Sequence, residues 1–260
     1  MTEDYKRVIS ETLASGVEPI SRKYSGVYDG YGEEPIAYFT ETEIFTAASG
    51  IVSGYRAAID DNEIGVRFSL SGISSAYEAN VRLNESDKRV YFITADITKS
   101  FLTGDTAKLL DGLVKRGVNG DGICLTFTEK AITDGKDAAI NGNADARGMG
   151  FKTAINAFGG ELPLSVLMRT PVDYLFLSPQ FTATLRGRDK KGAFTAFTGL
   201  LGALRISAVL CGVKDDDAIR DATAAECFGI VPAADYKGQF SYSERGKDLK
   251  DILSYGVNAL

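Results

Sequence analysis

The chain contains no histidine, so any chemistry it performs must come from carboxylates, thiols, lysines or tyrosines. Without an imidazole, an intrachain Ser-His-Asp or Cys-His arrangement and a His-ligated zinc site are excluded. The three cysteines, Cys124, Cys211 and Cys227, are too few for a four-cysteine metal site, and none stands in a CxxC spacing. Unpatterned thiols in odd number fit a reducing compartment, and a cytoplasmic location is expected. What remains is carboxylate chemistry with a hard divalent cation, lysine or tyrosine chemistry, or binding without turnover. Asp96 follows the strand-like YFITA, Glu129 follows ICLTFT, and Lys214 with Asp215-Asp216-Asp217 follows AVLCGV. The three successive aspartates read as helix N-terminal acids favoured by the dipole, not as a metal cluster.

The elements that must position these side chains follow a regular rhythm. Helical spacing covers residues 4–13, and extended segments at 19–28 and 35–45 flank a turn at Asp29-Gly30-Tyr31-Gly32. Helices are expected over 50–58 and 71–83, with 63–69 left open between them. From Arg89 onward, strands alternate with helices. Strands are expected at 89–97, 122–128, 151–158, 172–177, 205–213 and 228–231. The helices between and after them are expected at 99–116, 130–146, 181–204 (one long helix or two), 215–225 and 243–253. Nearly continuous apolar strands between helices indicate a mainly parallel sheet buried on both faces. Seven or eight such strands without a linker favour a closed barrel over an open sheet, with residues 1–260 as a single domain. In such a barrel, reacting groups stand at the C-terminal ends of the strands.

Composition narrows the partners. A net charge of -6 gives no Lys/Arg excess to release counterions, so nucleic acid is not an expected partner. The run Arg186, Arg188, Lys190, Lys191 is interrupted by Asp189 and reads as a solvated surface. No apolar run approaches the ~18 residues of a membrane span, and the acidic, amphipathic MTEDYKRVISETL is not a signal peptide.

Residues 151–181, FKTAINAFGGELPLSVLMRTPVDYLFLSPQF, read as strand, Gly turn, short helix, strand. Their PVDYL element, with Phe158-Gly159 upstream, resembles the EAL-domain family of cyclic di-GMP phosphodiesterases. The resemblance extends over nearly the whole chain. It implies an α/β fold, a TIM-like (β/α)8 barrel of the EAL type, with one antiparallel strand near the N-terminus. It also implies a metal-dependent site whose positions can be followed one by one. PIAYFTETEIF resembles the strand bearing Glu-Ala-Leu, with Phe39 at the Glu position and Glu41 as the nearest acid were the register to slip. TADITKSFL resembles the strand ending in a metal-binding asparagine, replaced here by Asp96. ICLTFTEKA resembles the strand carrying Glu-Ile-Thr-Glu, with Thr126 at the first acid and Glu129 matching the second. Asn156 and Ala157 stand where the family has two metal-binding aspartates. Phe176 takes the place of a lysine and Ser178 that of an aspartate. In AVLCGVKDDD, Cys211 and Lys214 replace two glutamates.

Each residue also has a structural reading. Asp96 can be a strand-end carboxylate satisfied by backbone N–H groups, and Glu129 can cap the next helix or pair with a lysine. Cys211 can be a small buried apolar residue. Phe39 and Phe176 can fill the barrel mouth with aromatic packing, or stack a base. The loop GGELPLS, apolar through Leu162, Pro163 and Leu164, suggests a contact surface. With so few acids retained, no catalytic residue and no cofactor are expected, and Mg²⁺ or Mn²⁺ would be needed only if hydrolysis survives. Asp96 and Glu129 are the expected residual ligand contacts. The leading expectation is a catalytically inactive EAL-like signalling domain that associates with another protein or with itself as a homodimer. Alternatives are a cyclic di-GMP sensor without turnover, an active cyclic-nucleotide phosphodiesterase, or a different enzyme on the same barrel.

Overall fold

A hairpin begins the sheet. β1 (Ile20–Val27) runs antiparallel to β2 (Ala37–Thr46), with Ile20 opposite Ile44 and Val27 opposite Ala37. The computed structural model describes residues 20–31, 34–46, 50–51, 63–186 and 192–236, together with Arg7 and Ile59. The helices expected over 4–13 and 243–253 lie outside the described residues, as do Arg188, Lys190 and Lys191.

Beyond the hairpin, every neighbouring pair in the order β2, β4 (Ile93–Asp96), β5 (Ile123–Thr128), β6 (Lys152–Phe158), β7 (Tyr174–Leu177), β8 (Ser207–Val213), β9 (Gly229–Pro232) is parallel. The sheet then closes on itself. Tyr28 N–H donates to Ile230 O at 2.9 Å, and Ile230 N–H donates to Tyr28 O at 2.8 Å. Gly229 permits this seam, because a Cβ there would stand 2.7 Å from Val27 Cγ1 and 3.0 Å from Tyr28 O. The result is an eight-stranded barrel with its first strand antiparallel to the second.

Helices α1 (Glu63–Glu85), α2 (Lys99–Thr103), α3 (Thr106–Val114), α4 (Glu129–Gly148), α5 (Leu164–Leu167), α6 (Pro179–Leu185), α7 (Ala193–Ala203) and α8 (Asp216–Ala224) follow their strands. Four strand-to-helix turns end in a side chain that caps the next helix: Thr98 for α2, Thr128 for α4, Ser178 for α6 and Asp215 for α8. Each accepts from an orphan backbone N–H of the first turn, which sets where the strand stops and the helix begins.

Side-chain parity splits the core in two. Ile93, Ala95, Ile123, Leu125, Ile155, Leu175, Leu177, Ala208 and Leu210 point outward into the layer beneath the helices. Phe92, Cys124, Ala154, Phe176, Val209 and Val231 point inward and form the barrel interior, with Phe39, Tyr174, Cys211 and Phe228 packed against them. This is the period of two expected of a strand buried on both faces.

Several expected boundaries move. The strand over 89–97 contracts to Ile93–Asp96, and the helix expected from residue 71 starts at Glu63. The helix expected over 99–116 is two helices. Gly104 ends the first, and Asp105 caps the second by accepting from Lys108 N–H at 3.1 Å. The segment 181–204 is likewise two helices. Gly50–Ile51 pair antiparallel with Thr46 and Phe45 as β3, so the helix expected from residue 50 does not begin there; 52–58 lie outside the described residues.

Helix α4 contains a break. Lys136, exposed, adopts φ 51 and ψ -139, a conformation that essentially only glycine occupies without strain. Lys136→Gly is therefore expected to raise the free energy of unfolding by about 1 kcal/mol. Urea titration of the two proteins measures it; an equal or lower midpoint for the variant would mean the break carries no strain.

Candidate functional site at the C-terminal mouth of the barrel

The barrel interior narrows upward to the side chains that end its strands. On β4, Asp96 shares the parity of Phe92; on β5, Thr126 shares that of Cys124; on β6, Asn156 shares that of Ala154. Asp96 and Thr126 are ladder partners, as are Thr128 and Asn156. Asp96, Thr126, Asn156, Phe176, Cys211 and Phe39 are thus gathered at one end of the barrel by strand register alone. Ala157 stands apart. It is exposed and takes φ 53, at the point where the β6–β7 register shifts between Ile155 and Phe158.

Phe176 is fully buried, and its ring centroid lies 5.1 Å from that of Phe39, with the planes tilted by 34°. Below them Phe92 meets Phe176 edge-on at 6.4 Å, and Phe92 stacks on Phe228 at 5.7 Å. The interior from base to mouth is therefore largely aromatic. Glu41, two residues beyond Phe39, is exposed, and its Cα partner across the hairpin is Lys23.

Asp96 is buried at 4% exposure, and its Oδ1 accepts the Thr126 hydroxyl at 2.7 Å. The hydroxyl at 126 is the donor that lets a carboxylate remain at this depth. Cys211, also on the interior side, has its thiol pushed up to about 12, chiefly by burial and secondly by the nearby Glu41 carboxylate. Lys214, exposed, donates to Asp235 at 3.1 Å and does not turn toward Cys211 as a thiolate partner.

Glu129 departs from its structural reading. It sits in the first turn of α4, but its carboxylate neither caps that helix nor pairs with a lysine among the described residues. Instead Oε2 accepts from Gly159 N–H at 2.6 Å and Oε1 from Leu162 N–H at 2.8 Å, while the side chain is buried at 7% exposure. One carboxylate thus pins both ends of the Gly-Gly-Glu-Leu loop that follows β6. Sequence reasoning missed this role because the partners lie some thirty positions away. The available signal was an acid just beyond a buried strand together with a glycine loop whose N–H groups need acceptors. The apolar residues expected to face outward from this loop divide: Leu162 is buried, whereas Leu164 and Met168 on and after α5 are exposed.

The run Asp215-Asp216-Asp217 is fully used within the fold. Asp215 caps α8 through Ala218 N–H, Asp216 accepts the Tyr236 hydroxyl at 2.7 Å, and Asp217 pairs with Arg220. Arg186 bridges α6 to α8 through Asp221 at 2.7 Å. Among the described residues no three histidine, cysteine or carboxylate side chains converge as a metal site. None of the described helices is long and apolar enough to cross a membrane.

An eight-stranded parallel barrel with one reversed strand, its polar groups gathered at the strand C-termini, defines the class. Comparison with solved structures identifies the type as that of EAL domains. The EAL enzyme Bd1971, in a form bound to cAMP and cyclic di-GMP, superposes with a TM-score of 0.77 at 16% identity, covering 96% of this chain and 69% of that one. The FimX EAL domain from Pseudomonas aeruginosa bound to c-di-GMP gives 0.71 at 14% identity, covering 92% and 100%. The EAL domain of Mycobacterium smegmatis DcpA gives 0.67 at 19%, covering 91% and 98%. No family model and no curated protein matches the sequence. The likeness therefore lies in the fold.

Two predictions follow from the mouth. Glu129→Ala removes the acceptor of two buried N–H groups and should lower stability by about 3 kcal/mol, with Glu129→Gln losing roughly half as much. Denaturant titration measures this, and equal stability of the alanine variant would show the loop held by other contacts. With its thiol three pH units above the usual 9.0, Cys211 should alkylate at pH 8 roughly a thousand-fold more slowly than a free cysteine. Peptide mapping after timed iodoacetamide treatment would report a comparable rate if the thiol were instead activated.

Proposed function

We propose that this EAL-fold domain acts by binding rather than by hydrolysis, associating with another protein or with a second copy of itself. The observation that carries the reading is the make-up of the mouth. Of Phe39, Asp96, Thr126, Asn156, Ala157, Phe176 and Cys211, one is a carboxylate, and its Oδ1 already accepts from Thr126 at 2.7 Å. Mg²⁺ and Mn²⁺ require several oxygen ligands to offset loss of their hydration, and the rings of Phe39 and Phe176 with the neutral thiol of Cys211 supply none. This donor set does not fit a two-ion phosphodiesterase centre, so no hydrolytic step is assigned to the mouth. The unpaired cysteines support a reducing, cytoplasmic setting for the domain.

A second reading has its own support: proteins of this fold have been solved with cyclic di-GMP bound, FimX and MucR among them. In that reading the mouth receives the dinucleotide without cleaving it. Its purine would need an aromatic face, which Phe39 provides more readily than the fully buried Phe176.

Purified protein incubated with cyclic di-GMP and Mn²⁺ is expected to release no linear dinucleotide. Metal-dependent turnover that disappears in Asp96→Ala would overturn the proposal. Calorimetry with and without Mg²⁺ separates the two binding readings. Heat of binding at protein concentrations of about 100 μM supports the sensor, and its absence leaves protein association.

A further inference from the structure

At the opposite end of the barrel, the last turns of α1 face the entries of β4 and β5 across a cavity of about 370 Å³. Its polar lining comes from Asn80, Asn84, Arg89 and Asp121, and its remaining wall from Val90, Tyr91 and Gly122. Asn80 is 8% exposed, so its carboxamide is held in place rather than solvated. One N–H donates to Asp121 O at 3.3 Å, and among the described residues the carboxamide oxygen has no donor. Gly122, at φ 72, makes room for it, since a Cβ there would overlap the Asn80 side chain. The chain thus keeps a buried amide at the cavity wall with one N–H engaged and its oxygen unused, an arrangement that favours an incoming polar group.

The charges around it point to the ligand. Arg89 and Asp121 are exposed, line the same cavity, and among the described residues pair neither with each other nor with any other side chain. A guanidinium forks onto a carboxylate with two parallel hydrogen bonds, and a carboxylate accepts from an ammonium. A ligand that uses both must carry an anion and a cation a few bonds apart. The free carboxamide oxygen of Asn80 adds a further acceptor for the cationic end. The volume lies at the low end of small-molecule sites and suits a molecule of about ten non-hydrogen atoms.

We propose that this cavity, formed by Asn80, Arg89 and Asp121 at the N-terminal face of the barrel, binds a free α-amino acid, its carboxylate on Arg89 and its ammonium on Asp121 and Asn80. Tyr91, 68% exposed, and Val90 provide the apolar surface for the amino-acid side chain. The site is independent of the mouth and of the function proposed for it. It stands at the entry of β4, the strand that ends in Asp96, and so occupies the place of an effector site rather than a reactive one.

The test is thermal unfolding of the whole chain in the presence of each of the twenty L-amino acids at about 10 mM, ten times a millimolar Kd. One or more are expected to raise the midpoint. For that amino acid, calorimetry should show affinity reduced at least ten-fold in Arg89→Gln and in Asp121→Asn, both surface changes that leave the unliganded midpoint in place. Its α-amide and its decarboxylated amine should fail to bind. No shift with any amino acid, or binding that survives both substitutions, overturns the proposal. So does a shift given through these residues by GMP or glucose where no amino acid gives one.

Discussion

Two hydrogen bonds between Tyr28 and Ile230 turn a twisted sheet into a closed barrel, and the mouth exists because of that closure. In an open sheet, the C-terminal ends of β2 and β8 would lie far apart. Closed, they bring Phe39 and Cys211 into one interior with Phe176 and Val209. From then on parity decides everything: each strand sends alternate side chains inward, and a residue's position along its strand sets its height in the barrel. The seam is narrow. It depends on Gly229, where the β9 backbone approaches Val27 and Tyr28 more closely than any side chain would allow.

Within this interior, the charge a position can carry depends on its neighbours. Phe176 is surrounded by Phe39, Phe92 and Val209, and the Cys211 thiol packed against the same interior stays neutral because burial disfavours its anion. A lysine at 176 would place an ammonium among side chains none of which is an acid, at a cost of several kcal/mol. Aromatic packing at the same position instead gains burial and about 1 kcal/mol of ring–ring interaction. A mouth whose one carboxylate, Asp96, already accepts from Thr126 thus favours an apolar residue where the resemblance implies a lysine. Asp96 is accommodated there with the Thr126 hydroxyl, from the adjacent strand, at 2.7 Å among its partners.

Much of this architecture could be read from residue order, and what could not has identifiable reasons. The strands β5 to β9 are short, apolar and bounded by glycine, proline or capping residues, so local composition located them. The hairpin was legible from its turn. The division of 99–116 was not, because its apolar spacing continues through Gly104-Asp105; only the Asp105 cap, a single side-chain contact, interrupts the helix. The length of α1 was underestimated because its first turns carry no stop or start signal that spacing alone resolves. Positions at the mouth could be proposed by resemblance to a family, since strand parity converts sequence position into location. Roles that depend on distant partners could not. Glu129 looked like a helix cap by position, and only the folded chain brings Gly159 and Leu162 onto its two oxygens.

That carboxylate also shows why a mouth with few charges need not loosen the scaffold. Glu129 uses both oxygens on backbone N–H groups, so its energetic role is complete within the protein and asks nothing of a metal or a ligand. Hydrogen bonds of this kind, ionised acceptor to buried amide, are among the stronger contacts a fold can make. The acids of the α8 N-terminus behave likewise, each committed to a cap, a tyrosine hydroxyl or an arginine. The carboxylates of the upper barrel are therefore divided by their partners, those bonded to the chain itself being structural whatever the mouth binds. At the base the situation is reversed. Among the described residues the Asn80 amide nitrogen makes a single contact, to the Asp121 backbone carbonyl, the side chains of Arg89 and Asp121 make none, and these residues line one cavity. Unused polar capacity, rather than the number of charges, marks where this barrel is prepared to meet a small molecule.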